Sequence, residues 1–467
     1  MKLSYPPYSH YKKVDVPWIN RIPDHWEIKK LRNILDRVNE KNRPDLPLLS
    51  VVREKGVIKR SLSKDDENHN VIPEDLSNHK VVHEGQFAMN KMKAWQGSYG
   101  VSKFEGVVSP AYFIFNVKNI DENFFHVAIR SKAYIPFFNQ ASEGVRVDQW
   151  DLSIDRMKNI PFFIPPIEEQ NAIVRFLDYT DRRIKRYIRA KQKLIKLLEE
   201  EKQAIIHQAV TRGLNPDVPL KQSGIEWVGD IPEHWEIFSL KFISKKNQTG
   251  STPPTTEPIF YKNGNIPWFG PSSCTNVDYI KQPIRFLSEF AFSDGNAKMI
   301  SGPALLIVII GATIGKMGLL LGNGSTNQQI TSFELKINLV SPLFVLYSLR
   351  FSEKWLASTA SSATIPILDS NIVKKLPIAF PPLEEQQKII MNIENQTYQF
   401  TNLITKIKND LSLIQEYRTR LIADVVTGKL DVRAAAAQLP EELEDEEIDV
   451  EEVEPAEYDE LEEALEP

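Results

Sequence analysis

Apolar residues recur at alternating spacings of three and four along two long stretches of this chain, residues 161–213 and 377–428. This spacing places apolar side chains on one helix face, and over several heptads it is typical of a coiled coil. Helices of about forty residues are roughly 60 Å long, so their apolar faces need a partner. We expect the two helices to pair with each other because their lengths and starts match; pairing with another molecule is the alternative. The predicted seams include Ile173, Leu177, Ile184, Tyr187, Leu194 and Leu198 in the first helix and Ile389, Ile393, Phe400, Leu403, Ile407 and Leu421 in the second.

Both stretches carry the same start and stop signals. Residues 165–170 and 381–386 each contain two prolines, one apolar residue, two glutamates and a glutamine. Proline is tolerated at the start of a helix, and the helix dipole favours negative charge in the first turn. Each stretch ends at a glycine, Gly213 or Gly428, where a C-terminal cap is expected.

A second motif, here called the entry motif, also occurs twice. Residues 18–28 and 227–237 share the pattern Trp-x-x-x-Ile-Pro-x-His-Trp-Glu-Ile. The order of entry motif, globular region and long helix is therefore repeated, which predicts a pseudo-dimer within one chain. Because an entry motif should follow the second helix but stands at the N-terminus instead, the second helix is expected to return beside the first.

The two regions between these motifs read as mixed α+β globules. Short apolar runs such as 81–89 and 107–117 predict strands, and residues 342–357 predict a helix. The globules are much less alike than the surrounding motifs, which suits a common frame with two different surfaces. The predicted domains are residues 1–160, the N-terminal segment and first globule; 161–213, the first long helix; 214–376, the second globule; 377–430, the second long helix; and 431–467, an acidic disordered tail.

Charge is distributed unevenly along the 467 residues. Residues 440–467 contain sixteen Asp or Glu and no Lys or Arg, which leaves 57 basic against 46 acidic residues, or +11, on the remaining body. Such a tail is expected to be disordered, and such a body suits an anionic partner. The single cysteine, Cys274, excludes a disulfide framework. With no signal peptide and no apolar run near the ~20 residues of a membrane span, a soluble cytoplasmic protein without a membrane partner is expected.

Motifs that resemble catalytic or cofactor sites are incomplete. Residues 311–317 lack the spacing of a phosphate-binding loop and have Met317 where Ser or Thr should hold magnesium; a tight turn between strands is predicted instead. His25 and His234 imitate a zinc deaminase motif, but the required cysteines are missing. No catalytic residue and no metal ligand is predicted, and the chain is expected to bind no cofactor.

Several loops carry side chains suited to DNA. Asn and Gln can pair with adenine, Arg and Lys with guanine, and Ser and Thr mostly bond phosphates. Aromatic side chains accompany them in the first globule. The candidate DNA-binding residues are Arg53, Lys55, Lys91, Lys93, Trp95, Gln96, Ser98, Tyr99 and Arg146 in the first globule, and Ser251, Thr252, Ser272, Ser273, Thr313, Lys316, Asn327 and Gln328 in the second.

Together, the doubled helix starts, the doubled entry motif and residues 92–97 and 311–316 strongly resemble the specificity subunit of type I restriction-modification systems. The resemblance covers about residues 10–433. It implies an α+β protein with two pseudo-repeated mixed α/β target-recognition domains, separated by two long helices that form an antiparallel coiled coil. Each domain would read one half of a split asymmetric site in double-stranded DNA.

The resemblance also implies partners. Two methyltransferase subunits, which use S-adenosylmethionine, would bind the helices and recruit restriction subunits that use ATP and Mg²⁺. The chain itself would be non-catalytic. A coiled-coil adaptor that binds only proteins is the alternative, and a methyltransferase or nuclease in its own right is disfavoured by the missing motifs. The acidic tail is not explained by the resemblance.

Overall fold

The chain forms two compact units. The first contains Met1–Gln192 and Lys408–Pro467, and the second contains Lys193–Ile407. The computed structural model describes residues 5–53, 55–60, 75–144, 150–275, 277–361 and 365–440. Each unit contains half of both long helices, so the compact units differ from the predicted segments, in which the helices stand apart. No helix in the described ranges is long and apolar enough to span a membrane.

The two long helices are present, and both exceed their predicted lengths. They span Ile167–Arg212, with 46 residues, and Leu383–Val426, with 44 residues. Each begins directly after the paired prolines and has two glutamates in its first turn. Each is followed by a left-handed glycine, Gly213 at φ +71° and Gly428 at φ +72°.

The helices pack antiparallel, and this is visible within each unit separately. In the first unit the start of the first helix shares a core with the end of the second, through Ile173 and Leu421. Arg418 Nε also donates to Asp181 Oδ1 at 2.6 Å there. In the second unit, Ile206 near the end of the first helix shares a core with Ile389 near the start of the second. The predicted antiparallel coiled coil is therefore confirmed.

The buried stripe of each helix departs from the predicted heptad seam. Tyr187 and Leu403 were assigned to the seam, but each is 42% exposed. Their neighbours Ile188 and Ile404 are buried instead. A straight α-helix has 3.6 residues per turn, so its inner face drifts relative to a strict seven-residue repeat.

Each unit is built on a four-stranded antiparallel sheet with the same strand order. In the first unit the order is Leu35–Val38, Phe113–Val117, Phe87–Met89, Tyr99–Val101. In the second it is Ser244–Thr249, Ile330–Leu335, Ala304–Val308, Met317–Leu320. In chain order both sheets read first, fourth, second, third. The duplication predicted from the entry motifs thus extends to the topology of the globules.

Smaller elements surround the first sheet. Residues 81–89 and 107–117, each predicted as one strand, are each divided between two strands. Helix Glu122–Ile129 is capped by Asp121, whose side chain accepts from Phe124 N at 2.7 Å. The remaining elements are the antiparallel pairs Tyr11–Val16 with Ile19–Pro23, Glu27–Lys30 with Pro161–Ile164, Leu49–Val52 with Gly56–Lys59, Lys80–Val82 with Gly106–Val108 and Ser142–Glu143 with Asp151–Leu152, and helices Ile135–Gln140 and Ile154–Met157.

The second unit adds a mixed three-stranded sheet. The predicted helix over residues 342–357 is two helices, Pro342–Arg350 and Glu353–Thr359, and Ser352 Oγ donates to Leu349 O between them. The remaining elements are the sheet Arg285–Leu287, Ile266–Phe269, Ser325–Thr326, the antiparallel pairs Leu220–Gln222 with Asp230–Pro232 and Glu236–Ser239 with Pro377–Phe380, and helices Glu289–Ser293 and Ser370–Lys374.

Residues 428–440 are folded onto the first unit. Asp431 N donates to Pro6 O at 2.8 Å, so both described chain ends lie at this unit, as expected. Val432 and Ala436 are buried, and Arg433–Ala437 forms a short helix. This corrects the start of the predicted tail, because burial of apolar side chains holds residues 431–440 in place. The tail from residue 441 onward lies outside the described residues.

The two helix-ending glycines offer a matched test of this packing. A Cβ added at Gly428 would lie 2.3 Å from Pro23 Cδ, whereas one at Gly213 would have no neighbour closer than 3.4 Å. Both substitutions to alanine strain a positive φ, but only the first also clashes. We expect Gly428→Ala to lower the free energy of unfolding by about 2–3 kcal/mol and Gly213→Ala by about 1 kcal/mol. Urea unfolding followed by circular dichroism measures both, and equal losses would contradict the close contact at Gly428.

Candidate nucleic-acid interface

A carboxylate clamp joins the entry motif of the first unit to the start of the first long helix. Glu169 is only 4% exposed and accepts three hydrogen bonds. Its Oε1 accepts from Tyr8 OH at 2.5 Å and Trp26 Nε1 at 2.9 Å, and its Oε2 lies 2.7 Å from His25 Nε2. The histidine and tryptophan of the entry motif therefore bind the second glutamate of the helix start.

The second unit repeats this clamp with the equivalent residues. Glu385 Oε2 lies 2.9 Å from His234 Nε2, and its Oε1 accepts from Trp235 Nε1 at 3.2 Å. Gly213 at the end of the first helix lies beside the same tryptophan, so both helices meet at the clamp. Trp26 and Trp235 are each fully buried, so they anchor the entry motifs to their globules.

The glutamine of each helix start fixes a loop of the globule. Gln170 Oε1 accepts from Asp121 N at 2.9 Å, and its Nε2 donates to Pro165 O at 2.8 Å. Gln386 does the same with Ser341 N at 2.8 Å and Pro381 O at 2.9 Å. The second glutamate and the glutamine of each helix start thus join the long helix to its globule.

The candidate DNA-binding loops lie at equivalent places in the two sheets. Met89 pairs with Tyr99 in the first sheet and Ile307 pairs with Met317 in the second. Nine residues therefore lie between the paired positions of the second and third strands in each unit, 90–98 and 308–316, and these are called the nine-residue connections; Val308 is also the last residue of its strand. Gly97 and Gly315 also match, with φ of +98° and +88°. The predicted turn over residues 311–317 is confirmed, and its counterpart is the lysine-rich and tryptophan-containing loop of the first unit.

In the first unit, the nine-residue connection packs against the segment near Asp151. Lys91 forms an ion pair with Asp151, and the rings of Trp95 and Trp150 are 5.5 Å apart. Lys93 is exposed and Gln96 is half-buried. These side chains form one surface. Arg146 lies outside the described residues.

Two predicted contacts in this connection are corrected. Tyr99 is fully buried, with its ring centroid 4.3 Å from that of Phe138. Ser98 is also buried. Both lie where the connection enters the third strand, and their side chains face the core rather than a ligand. They support the loop instead of contacting DNA.

Arg130 joins the two candidate loops of the first unit. Its Nη1 donates to Tyr99 O at 2.5 Å and its Nη2 to Arg53 O at 3.0 Å. Arg53 and Lys55 themselves are exposed in a tight hairpin. Neither Arg130 nor Trp150 was predicted as part of this surface. Arg130 has no local sequence signal, because it acts through backbone carbonyls that only the fold brings near.

In the second unit, the candidate loops converge around residues 327–329. Thr252 Oγ1 donates to Gln328 Oε1 at 2.5 Å, and Asn327 Nδ2 donates to Gln329 Oε1 at 2.7 Å. Asn327 N also donates to Phe269 O at 3.1 Å, just before the segment with Ser272 and Ser273. Gln329 N donates to Asn327 Oδ1 at 3.1 Å, so the amide side chains hold one another.

The remaining candidates complete this polar surface. Ile309 N donates to Gln329 O at 2.8 Å, which holds the connection containing Thr313 and Lys316 beside the amides. Ser251 Oγ donates to Asn296 O at 2.7 Å, and Ser273 Oγ donates to Gln282 O at 3.0 Å. These two hydroxyls have protein acceptors, as does that of Thr252. Ser272, Thr252 and Gln328 are exposed.

The structure offers no alternative metal centre among the residues it describes. No group of three or more His, Cys, Asp or Glu side chains in those ranges could hold an ion. The polar atoms that do converge are hydroxyls, amides and basic groups. This chemistry suits base edges and phosphates.

The two units share one backbone arrangement but carry different polar surfaces. This is the arrangement of a protein with two recognition domains. A family model for the type I restriction modification DNA specificity domain matches residues 23–197 and again residues 232–413. The chain belongs to this family, and it is a DNA sequence-specificity subunit of the type I restriction-modification class.

Individual relatives agree with this assignment. The type I restriction enzyme MjaVIII specificity subunit of Methanocaldococcus jannaschii is 24% identical over 73% of this chain and 78% of its own. The MjaIX specificity subunit of the same organism is 28% identical over 35% of this chain and 38% of its own. A solved structure from work on complex assembly in the type I R-M system covers 88% of this chain and 99% of that chain, with a TM-score of 0.64 and 14% identity. That likeness shows the same fold.

The clamp predicts an asymmetric response to the same substitution. Replacing Glu169 by Gln puts an amide N–H against buried donors, whereas the Glu385 side chain is 31% exposed and accepts from one fewer partner. We expect Glu169→Gln to lower the free energy of unfolding by about 2–3 kcal/mol and Glu385→Gln by about 1 kcal/mol. Urea titration measures these losses. Glu168→Gln, in the same helix turn, is the control; a similar loss there would assign the effect to the helix dipole.

A partly buried histidine in helix Glu122–Ile129 predicts a pH dependence of stability. Burial, and then the nearby charges of Arg130 and Lys103, lower the pKa of His126 from 6.5 to about 4. Between these values the unfolded chain binds a proton that the folded chain does not. The free energy of unfolding should therefore fall by about 3 kcal/mol as pH drops through this window.

The variant His126→Asn isolates this contribution. His126 Nδ1 accepts from Val101 N at 3.1 Å, and an asparagine oxygen can serve as acceptor without titrating. Urea unfolding at several pH values between 7 and 4 compares the two proteins. A variant that loses stability as steeply as the parent would show that other groups cause the dependence.

Proposed function

We propose that each unit reads one half of a split, asymmetric site in double-stranded DNA. The observation that carries this proposal is the equivalence of residues 90–98 and 308–316: the same nine-residue connection leaves the same sheet in both units with different side chains. The first carries lysines, an amide and a tryptophan, and the second carries Thr313 and Lys316 beside an amide cluster. Different side chains on one frame would select different bases.

Besides contacts between the candidate side chains themselves, each unit holds its loops by backbone contacts. Backbone carbonyls bind Arg130 in the first unit, and the backbone of residues 309 and 329 is paired in the second. A preorganised loop loses little conformational freedom on binding, which favours affinity. Exposed Lys93 and Gln328 can then meet base edges or phosphates.

We infer that catalysis belongs to partner subunits. The proposed complex contains two methyltransferase subunits that hold S-adenosylmethionine, and through them restriction subunits that hold ATP and Mg²⁺; this chain would hold no cofactor and would act in the cytoplasm. The long helices suit such docking, because Met391 and Tyr398 are 64% and 66% exposed and lie seven residues apart on one face. An adaptor that binds only proteins is not favoured, since the family is one of DNA specificity.

Single lysine substitutions test the division of labour between the units. Lys316→Ala should weaken binding to a specific duplex by about tenfold, with relaxed selection confined to one half-site. Lys93→Ala should affect the other half-site. The recognised sequence is first obtained by selection from random duplexes with the chain in its methyltransferase complex, and each variant then repeats the selection.

Lys375→Ala, on the second unit but outside the candidate loops, is the matched control and should leave selection unchanged. If Lys316→Ala and Lys93→Ala both weakened binding to all duplexes equally, the lysines would be general phosphate contacts. If neither altered selection in any half-site, the two connections would not be the reading loops.

A further inference from the structure

The first long helix presents a basic stripe opposite its packed face. Arg175, Arg182, Arg186 and Arg189 are all exposed. At about 100° per residue they fall within an arc of roughly 60°. Ile173 and Ile184, which are buried, lie on the opposite side of the same helix. These four arginines are called the basic stripe below.

Little on the helix itself neutralises this stripe. Asp178 lies on the same face and forms an ion pair with Arg182. Asp181 is bound by Arg418 of the second helix at 2.6 Å and by Lys185 of its own helix at 2.8 Å. On this face of the helix, between residues 175 and 189, the sequence has four arginines and one carboxylate, which is an excess of positive charge. Arginine clusters of this kind bind carboxylates and phosphates through paired N–H donors.

Pro440, the last residue that the structure describes, lies at one end of the basic stripe. Arg175 Nη2 donates to Leu439 O at 2.9 Å and to Pro440 O at 3.2 Å. The preceding residues are fixed, because Val432 and Ala436 are buried and Asp431 N is bound to Pro6 O. Pro440 therefore lies beside the first arginine of the stripe.

The chain beyond this point has the complementary charge. Residues 441–467 contain sixteen Asp or Glu and no Lys or Arg. Extended, these 27 residues reach up to about 90 Å. The basic stripe is only about 21 Å long, from its first to its last arginine. Tethering beside the stripe also raises the effective concentration of the tail well above that of any free anion.

We propose that residues 441–467 bind along the basic stripe within the same chain and compete there with the phosphates of duplex DNA. The tail is then an internal polyanion that suppresses non-specific DNA binding. Specific sites, which are held by the reading loops of both units, would be affected much less. The DNA part of this proposal rests on the assigned DNA-binding function; the contact between tail and stripe does not.

Zero-length carbodiimide cross-linking of the full chain tests the contact directly. Lys185 lies beside the basic stripe, four residues before Arg189, whereas Lys118 and Lys132 are exposed elsewhere in the first unit. We expect mass spectrometry to find tail carboxylates joined to Lys185 at low salt. These links should disappear at high salt because screening weakens exposed ion pairs. Links mainly to Lys118 or Lys132 would overturn the proposal.

A double-mutant cycle tests the consequence for DNA. One change replaces the sixteen acidic tail residues by their amides, and the other is the charge reversal Arg182→Glu, Arg186→Glu and Arg189→Glu. The control reversal is Arg32→Glu, Lys118→Glu and Lys132→Glu, which alters net charge equally. At low salt, tail neutralisation should strengthen binding of a random-sequence duplex about tenfold, as expected for several exposed ion pairs.

The cycle separates docking from bulk charge. Tail neutralisation should keep its full effect in the control reversal and lose it in the stripe reversal. Equal effects in both would show that the tail acts only through net charge, and the proposal would be wrong. If the unmodified chain did not bind a specific DNA site, the DNA-reading function would be contradicted instead. The cross-linking result would still decide whether the tail contacts the basic stripe.

Discussion

The fold depends on one carboxylate at the start of each long helix, which is buried at Glu169 and partly buried at Glu385. Glu169 and Glu385 each bind the indole and the imidazole of an entry motif, so the chain before a globule is tied to the helix after it. A buried charge is costly unless hydrogen bonds surround it, and here they do. The left-handed glycine of the other helix packs on the same tryptophan. The clamp therefore holds both long helices at one point, together with the chain segments that enter and leave a globule.

This arrangement separates stability from specificity. The histidine, tryptophan and glutamate of the clamp and the glutamine contacts use residue types that are the same in both units. The nine-residue connections and neighbouring loops, in contrast, share length and backbone but few side chains. A substitution at Gln328 or Lys93 changes a surface without removing any of those contacts. Such a frame can accept new reading surfaces at little cost to folding.

The frame could be predicted from sequence because its signals are local. Paired prolines, first-turn glutamates and capping glycines mark helix ends wherever they occur, and residues 165–170 and 381–386 make the duplication visible. The reading surface could not be predicted as fully. Strand pairing, which has no local signal, makes residues 90–98 equivalent to 308–316 and turns Tyr99 inward. The break at Ser352 was also missed, because its hydroxyl competes for a helix carbonyl only in that geometry.

The division of the chain has a consequence for its synthesis. The second unit is one continuous stretch, Lys193–Ile407, whereas the first needs Lys408 onward to complete its clamp region and core. On a ribosome the second unit thus has all its residues before the first does. Until Val425 and Val432 emerge, Ile22 and Trp26 lack part of the apolar surface that covers them. Apolar surface that is exposed in a nascent chain promotes aggregation. The N-terminal unit is therefore the last to complete its core during synthesis.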